Sequence, residues 1–219
     1  MATSVIILRV FEFVACVTGF IHWGKIRASI FKWFPFYLSF IVLSEFIGQL
    51  LSDPAMKRTN IAFFNYFEIP IEFLFFFWLF FKTGKHYTYK SLPIFCAGTY
   101  LVCWLIDSLY LSKLQFSFYS FSYTIGNLLL LVLILRYFIL LVTSNSILGF
   151  ANDMMFWICT GLLLYYLGTF PFYGLRNTLG TNYPQLYSTY SYIMYALNSL
   201  MYLMFTFSFI WGRPSLKSL

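Results

Sequence analysis

The sequence predicts an all-α polytopic membrane protein: one transmembrane domain spanning residues 1–219, a bundle of seven transmembrane helices with the N-terminus outside and the C-terminus inside. Three observations predict it. Of 219 residues, 61% are hydrophobic and only 10% are charged, where a soluble domain carries about 25% charged residues. The apolar residues gather in long runs. Short segments rich in Lys, Arg, Gly and Pro separate those runs. Such a chain has too few polar groups to cover a water-facing surface, and lipid is the solvent that fits. Seven spans of about 20 residues each leave only short loops, so no soluble catalytic domain is expected.

The runs predict spans at 4–23, 34–52, 61–81, 92–111, 117–141, 154–175 and 187–211. The first is long, contains Arg9 and Glu12, and lacks a small-residue cleavage site, so it reads as a span and not a signal peptide. A basic loop, Gly24 to Phe34, leads to the second span, which Ser52-Asp53-Pro54 ends. The third carries Pro70 and is followed by a basic loop from Lys82 to Lys90. Ser112-Lys113 forms a tight link between the fourth and fifth. The polar stretch Ser144 to Asp153 has room for a short interfacial helix before the sixth span, which carries Pro171. Arg176 to Gln185 reads as a Gly/Asn/Pro loop before the seventh. All seven runs are too long and continuous for the alternating strands of a membrane barrel.

Orientation follows from the basic residues. With the N-terminus outside, the inner side holds nine of them: Lys25, Arg27, Lys32, Lys82, Lys85, Lys90, Arg136, Arg213 and Lys217. The outer side holds four: Lys57, Arg58, Lys113 and Arg176. This is the bias of the positive-inside rule. Trp23, Trp33, Trp78, Trp157 and Trp211 fall near the same inner interface. The net charge of +7 is therefore read as topogenic charge near lipid headgroups, and nucleic acid is not an expected partner.

Seven residues are acidic. Asp53 and Asp153 stand at helix ends, but Glu12, Glu45, Glu68, Glu72 and Asp107 lie inside predicted spans. A carboxylate at the membrane centre costs on the order of 3 kcal/mol even on the lenient insertion scale. Five of them are expected to face one another, a buried partner or a water-filled cavity. Other polar residues join them at helical spacing. Arg9, Glu12 and Cys16 share one face of the first helix, with Arg9 as charge partner; Glu45 and Gln49 share one face of the second. Asn65, Glu68 and Glu72 form a stripe on the third, and Cys103 lies one turn from Asp107 on the fourth. Tyr123 and Asn127 follow on the fifth, and Tyr195, Asn198 and Tyr202 on the seventh. The expected site is a polar cavity opening outward, lined by Glu12, Glu45, Gln49, Asn65, Glu68, Glu72, Asp107, Tyr123, Asn127 and Asn198. Pro70, between Glu68 and Glu72, removes a backbone hydrogen bond and crowds the carbonyl of Tyr66, so it is expected to kink the third helix. Pro171 is expected to kink the sixth. The plainer alternative is that these polar side chains only join helices by hydrogen bonds.

Several chemistries lack their residues. The seventh span has no Lys for a retinal Schiff base, and the only histidines, His22 and His86, fall near the inner interface. Cys16, Cys96, Cys103 and Cys159 lie in apolar runs without metal-ligand spacing. No phosphate loop, zinc signature or nucleophile elbow is present. Neither a metal nor a cofactor is expected, and no catalytic residue is assigned.

Four segments carry a resemblance: Trp33-Phe34-Pro35-Phe36-Tyr37 with Ser44-Glu45, Asn65 through Phe73, Phe156-Trp157-Ile158 with Gly161 through Tyr166, and Leu197 through Tyr202. Together they resemble a group of uncharacterised bacterial seven-helix membrane proteins of about this length without soluble domains, some encoded beside sensor histidine kinases. The resemblance implies the same architecture and a signalling context. It supplies no catalytic residues.

The leading expectation is a ligand-sensing or signal-relaying protein of the bacterial cytoplasmic membrane. Its partners would be the lipid bilayer, a membrane or cytoplasmic signalling protein, and a small molecule, proton or cation. The alternative is a proton- or cation-coupled transporter or channel, since buried carboxylates mark ion pathways. A structural subunit of a membrane complex and a lipid-acting enzyme are further alternatives, the last weakened by the missing nucleophile and metal set.

Overall fold

Among the described residues, seven helices are long and apolar enough to cross a membrane: α1 (Ala2–Ile21), α2 (Trp33–Leu50), α3 (within the span Pro54–Thr83), α4 (Ser91–Ile106), α5 (Ser120–Thr143), α6 (Met154–Asn182) and α7 (Pro184–Ile210). The computed structural model describes residues 2–84, 91–111, 118–143 and 150–214. The expected link at Ser112-Lys113, most of the Lys82 to Lys90 loop, residues 144–149 and Lys217 lie outside the described residues. Among those described there is no strand.

Local chemistry sets the helix ends. Asp53 Oδ1 accepts the Ala55 N–H at 2.8 Å, and Pro54 follows at the first position, where its missing N–H costs nothing. The helix after Asp53 therefore begins before residue 61, earlier than hydropathy alone suggests. Asp153 Oδ1 accepts the Met155 N–H at 3.1 Å and caps α6. The expected loop from Arg176 to Gln185 is corrected: α6 stays helical through Asn182 and α7 begins at Pro184. Thr181 Oγ1 bonds back to Asn177 O at 3.0 Å, and Asn177 Nδ2 reaches Phe118 O at 3.0 Å, so this polar stretch is held as helix. Only Tyr183 separates the helices, since the residue before a proline is biased away from helical geometry. At 29 residues α6 is roughly 44 Å long, well beyond a hydrocarbon core of about 30 Å.

Burial is inverted relative to a soluble protein. Phe13, Leu43, Ile139 and Leu167 are about three-fifths exposed, while Glu12, Asn65, Asp107 and Asn127 are almost wholly buried. Water would penalise both arrangements, and lipid favours both.

The chain divides into two compact units. The first comprises Met1–Val42, Leu131–Thr169 and Ser191–Leu219. Its core rests on close helix contacts: Phe34 packs against Phe205 and Phe209 with ring centroids 5.0 and 5.5 Å apart. Gly161 lies against the α7 backbone, where an added Cβ would sit 3.1 Å from Met201 O. Small residues at such crossings let membrane helices approach closely. The second unit comprises Leu43–Leu130 and Phe170–Tyr190. Its core is aromatic, with Phe73 of α3 between Tyr100 of α4 (4.9 Å) and Tyr123 of α5 (5.3 Å).

Candidate functional site

Of the ten residues expected to line a cavity, eight belong to the second unit: Glu45, Gln49, Asn65, Glu68, Glu72, Asp107, Tyr123 and Asn127. Glu12 and Asn198, with Arg9, belong to the first. Glu12, Asn65, Glu68, Asp107, Tyr123 and Asn127 are buried; Arg9, Glu45, Glu72 and Asn198 are half-buried; Gln49 is exposed. Within the first unit, Cys16 on the Glu12 face of α1 shares a 3.2 Å hydrogen bond with Ser39.

Among its described residues the second unit contains two π-helical turns, and each carries a carboxylate. In α3, residues Phe64–Glu68 form the first, and Ile69–Thr83 continues as ordinary helix. The second, Asp107–Leu111, follows α4 directly. The first turn shows how Pro70 acts. Here Ile69 N–H bonds Phe64 O, five residues back. In that register the missing N–H of Pro70 would have served Asn65 O. Trp104 Nε1 serves it instead, donating at 2.9 Å. The acceptor that finds a partner on α4 is thus Asn65 O, one residue earlier than ordinary helical geometry predicts. The Asn65 side chain is engaged too, its Oδ1 accepting the Tyr119 N–H at 3.3 Å.

The two turns are joined. Tyr66 from the first shares a 3.1 Å hydrogen bond with Ser108 of the second. The Tyr66 ring also packs edge-on against Trp104 and Tyr119. Asp107, first residue of the second turn, accepts the Ser122 N–H at 2.6 Å. Its carboxylate therefore occupies the positive end of α5 and satisfies one of the amides that a helix start leaves unpaired. This bond links α4 to α5, as Trp104 links α4 to α3.

Tyr100 lies on α4 two turns before Asp107. It is 0% exposed, and its hydroxyl has no hydrogen-bond partner. Leaving such a group unsatisfied costs about 1–3 kcal/mol. The carboxylates of Glu72 and Asp107 both lie within electrostatic reach of that hydroxyl. Phe73 and Phe77 pack against the ring. Gly126 of α5 lies against both Tyr100 and Phe73, where an added Cβ would come within 2.9 Å of the Tyr100 ring. Among the described residues no group of three or more His, Cys, Asp and Glu could hold a metal ion.

In the first unit, a second polar group forms at the helix ends carrying Trp157 and Trp211. Lys25 Nζ donates to Phe209 O (2.9 Å) and Ile210 O (3.1 Å), covering carbonyls that the end of α7 leaves open. Burial, and secondarily the charge of Arg213, draw this ammonium below the usual lysine range. Arg213 pairs by backbone with the start of α6, donating to Asn152 O at 2.6 Å and accepting from Met154 N at 3.2 Å. Asp153 accepts from Tyr137 Oη at 2.9 Å. Burial pushes its carboxyl above the usual aspartate range, against the opposing pull of the Met155 N–H and the Tyr137 hydroxyl.

Sequence reasoning missed Tyr100, Trp104 and Ser108. The signal was present, since Tyr100, Trp104 and Asp107 are spaced to share one helical face. It was hidden because Tyr and Trp within an apolar run carry no charge to draw attention. No protein-family model, curated protein or solved structure matches the chain.

Proposed function

We propose that the protein is a membrane-embedded sensor whose input, a small polar ligand or a proton, is taken up at the carboxylates of α3 and α4. The observation that carries this reading is the pair of joined π-helical turns bearing Glu68 and Asp107. A sensor needs an element with two arrangements of nearly equal energy, and an input that favours one of them. A π-helical turn is such an element: it differs from ordinary helix by one residue of register, and it recurs at functional sites. Charge or occupancy at Glu68, Glu72 and Asp107 would bias that register. The link from Asp107 to Ser122 would carry the change into α5.

The same reading places the N-terminus outside and the C-terminus inside a bacterial cytoplasmic membrane, as the bias of basic residues suggests. The output partner is a membrane or cytoplasmic signalling protein reading the basic inner loops. The family resemblance, with members encoded beside sensor kinases, supports this context. Native mass spectrometry of protein released from lipid nanodiscs tests the input. Retention of a discrete non-lipid molecule, lost on Glu68→Gln with Glu72→Gln, is the expected result for a small-molecule input. A closed higher oligomer that retains nothing would favour a channel or an assembly subunit.

Proton- or cation-coupled transport is the second reading, favoured by the burial of Glu12, Glu68 and Asp107 within membrane-length helices. It predicts pH-dependent flux in proteoliposomes that disappears with Glu72→Gln.

A further inference from the structure

We infer that Arg176, stacked on the Phe118 ring, binds the phosphate of an anionic phospholipid headgroup. This is a binding function beyond the sensing proposed above, and Arg176 takes no part in that reading.

The second unit builds the site from two span ends. Phe118 and Tyr119 lead into α5 at Ser120, and Arg176 directly follows the apolar run 154–175 of α6. About 20 helical residues cross the hydrocarbon core, so Arg176 stands where a span meets the headgroups. Its guanidinium carbon lies 4.2 Å from the centroid of the Phe118 ring and 5.7 Å from that of Tyr173. Those two rings stack on each other at 5.6 Å, and Tyr173 packs in turn on Tyr123 at 4.0 Å. Asn177, the next residue, fixes the platform. Its Nδ2 donates to Phe118 O and to Ser120 Oγ, both at 3.0 Å.

Stacking engages the face of a guanidinium and leaves its five N–H donors, which lie in the plane, for other partners. All seven acidic side chains of the sequence belong to described residues, and none forms an ion pair with Arg176. No hydrogen-bond acceptor among the described residues meets it either. Lys25 differs, since its ammonium already donates to Phe209 O and Ile210 O.

The chemistry of this cation selects the occupant. A guanidinium accepts no hydrogen bond, so a ligand must bring acceptors, and a second cation would be repelled. A pair of phosphate oxygens matches the guanidinium fork with two parallel hydrogen bonds. At headgroup level the bilayer itself supplies that group as the phospholipid phosphodiester. The net charge of +7 favours an anionic headgroup over a zwitterionic one. Leu175 and Phe121, beside Arg176 on α6 and at the start of α5, are about half exposed and offer the acyl chains an apolar surface.

Native mass spectrometry of the detergent-solubilised protein, titrated with phosphatidylglycerol and separately with inorganic phosphate, tests the inference. Arg176→Gln keeps a helix-forming side chain, and circular dichroism should show its helix content unchanged. It should weaken binding of the first lipid by about tenfold, as expected for loss of a charge-assisted pair. Arg176→Lys keeps the charge without the flat fork and should also bind more weakly than the native protein. Arg213→Gln removes the same charge elsewhere and should bind like the native protein. Equal lipid affinity in the native protein and the folded Arg176→Gln variant overturns the inference. An equal loss in Arg213→Gln marks general charge attraction and overturns it as well, as does undiminished affinity in Arg176→Lys. Inorganic phosphate that binds through Arg176, with lipid affinity indifferent to the substitution, assigns the site to a soluble phosphate and overturns the lipid assignment.

Discussion

The carboxylate of Asp107 accepts the backbone N–H of Ser122 at 2.6 Å, so an acidic residue at the end of one membrane helix caps the start of another. A residue that looks from sequence like a ligand group thus has a structural duty as well. Asp107→Ala removes the cap and should cost about 1–2 kcal/mol. Asp107→Asn keeps an acceptor oxygen and should cost less. Thermal unfolding in lipid nanodiscs compares the two.

Trp104 should matter through its N–H as well as its ring. Trp104→Phe keeps an aromatic ring beside Tyr66 but removes the donor to Asn65 O. An unsatisfied carbonyl there should cost about 1–3 kcal/mol. The amides of residues 64–68 should exchange faster with solvent deuterium, while those of α7 keep their rates.

Gly126 and Gly174 make a paired test of packing. A Cβ at Gly126 would stand 2.9 Å from the Tyr100 ring and 3.0 Å from Phe73, in the tightest part of the second unit. Gly126→Ala should destabilise by about 1–3 kcal/mol through overpacking. A Cβ at Gly174 would meet Thr124 at an ordinary 3.5 Å. Gly174→Ala should stay within about 0.5 kcal/mol of the parent apart from its gain in helix propensity. Melting temperatures of both variants decide this.

Asp153 should make stability depend on pH. Its folded carboxyl titrates above the ordinary value of 3.8, chiefly because it is buried. The folded state therefore binds the proton more tightly than the unfolded state. The stabilisation is fully present below pH 3.8 and is lost as pH rises through the folded value. Asp153→Asn keeps one acceptor oxygen for the Met155 N–H and turns its amide NH2, a donor, toward the Tyr137 hydroxyl, and it should flatten this part of the profile. Denaturation followed across the acidic range, with both proteins in the same detergent, shows the difference.

The seven helices were legible because each is a long apolar run, and no other solvent than lipid suits them. The helix ends were harder. The end of α6 reads as a loop by composition, but Thr181 and Asn177 satisfy its polar groups within the helix and against residues 118–120. The polar stripe Asn65, Glu68 and Glu72 was visible at helical spacing. Its π-helical turn was not, because that register depends on Trp104 reaching across from α4 to the carbonyl that Pro70 cannot serve. Tyr100 stayed hidden for a similar reason. Its unsatisfied hydroxyl is a property of its neighbours, and sequence spacing alone does not show it.

The central claim is that the two π-helical turns form one switching element controlled by the α3 carboxylates. Hydrogen–deuterium exchange in nanodiscs, comparing the native protein with the Glu68→Gln and Glu72→Gln double variant, tests it most directly. The account predicts that protection changes together in residues 64–68 and 107–111 and at the start of α5, with α1 and α7 unaffected. Unchanged exchange throughout, or a change confined to residues 64–68, would contradict it.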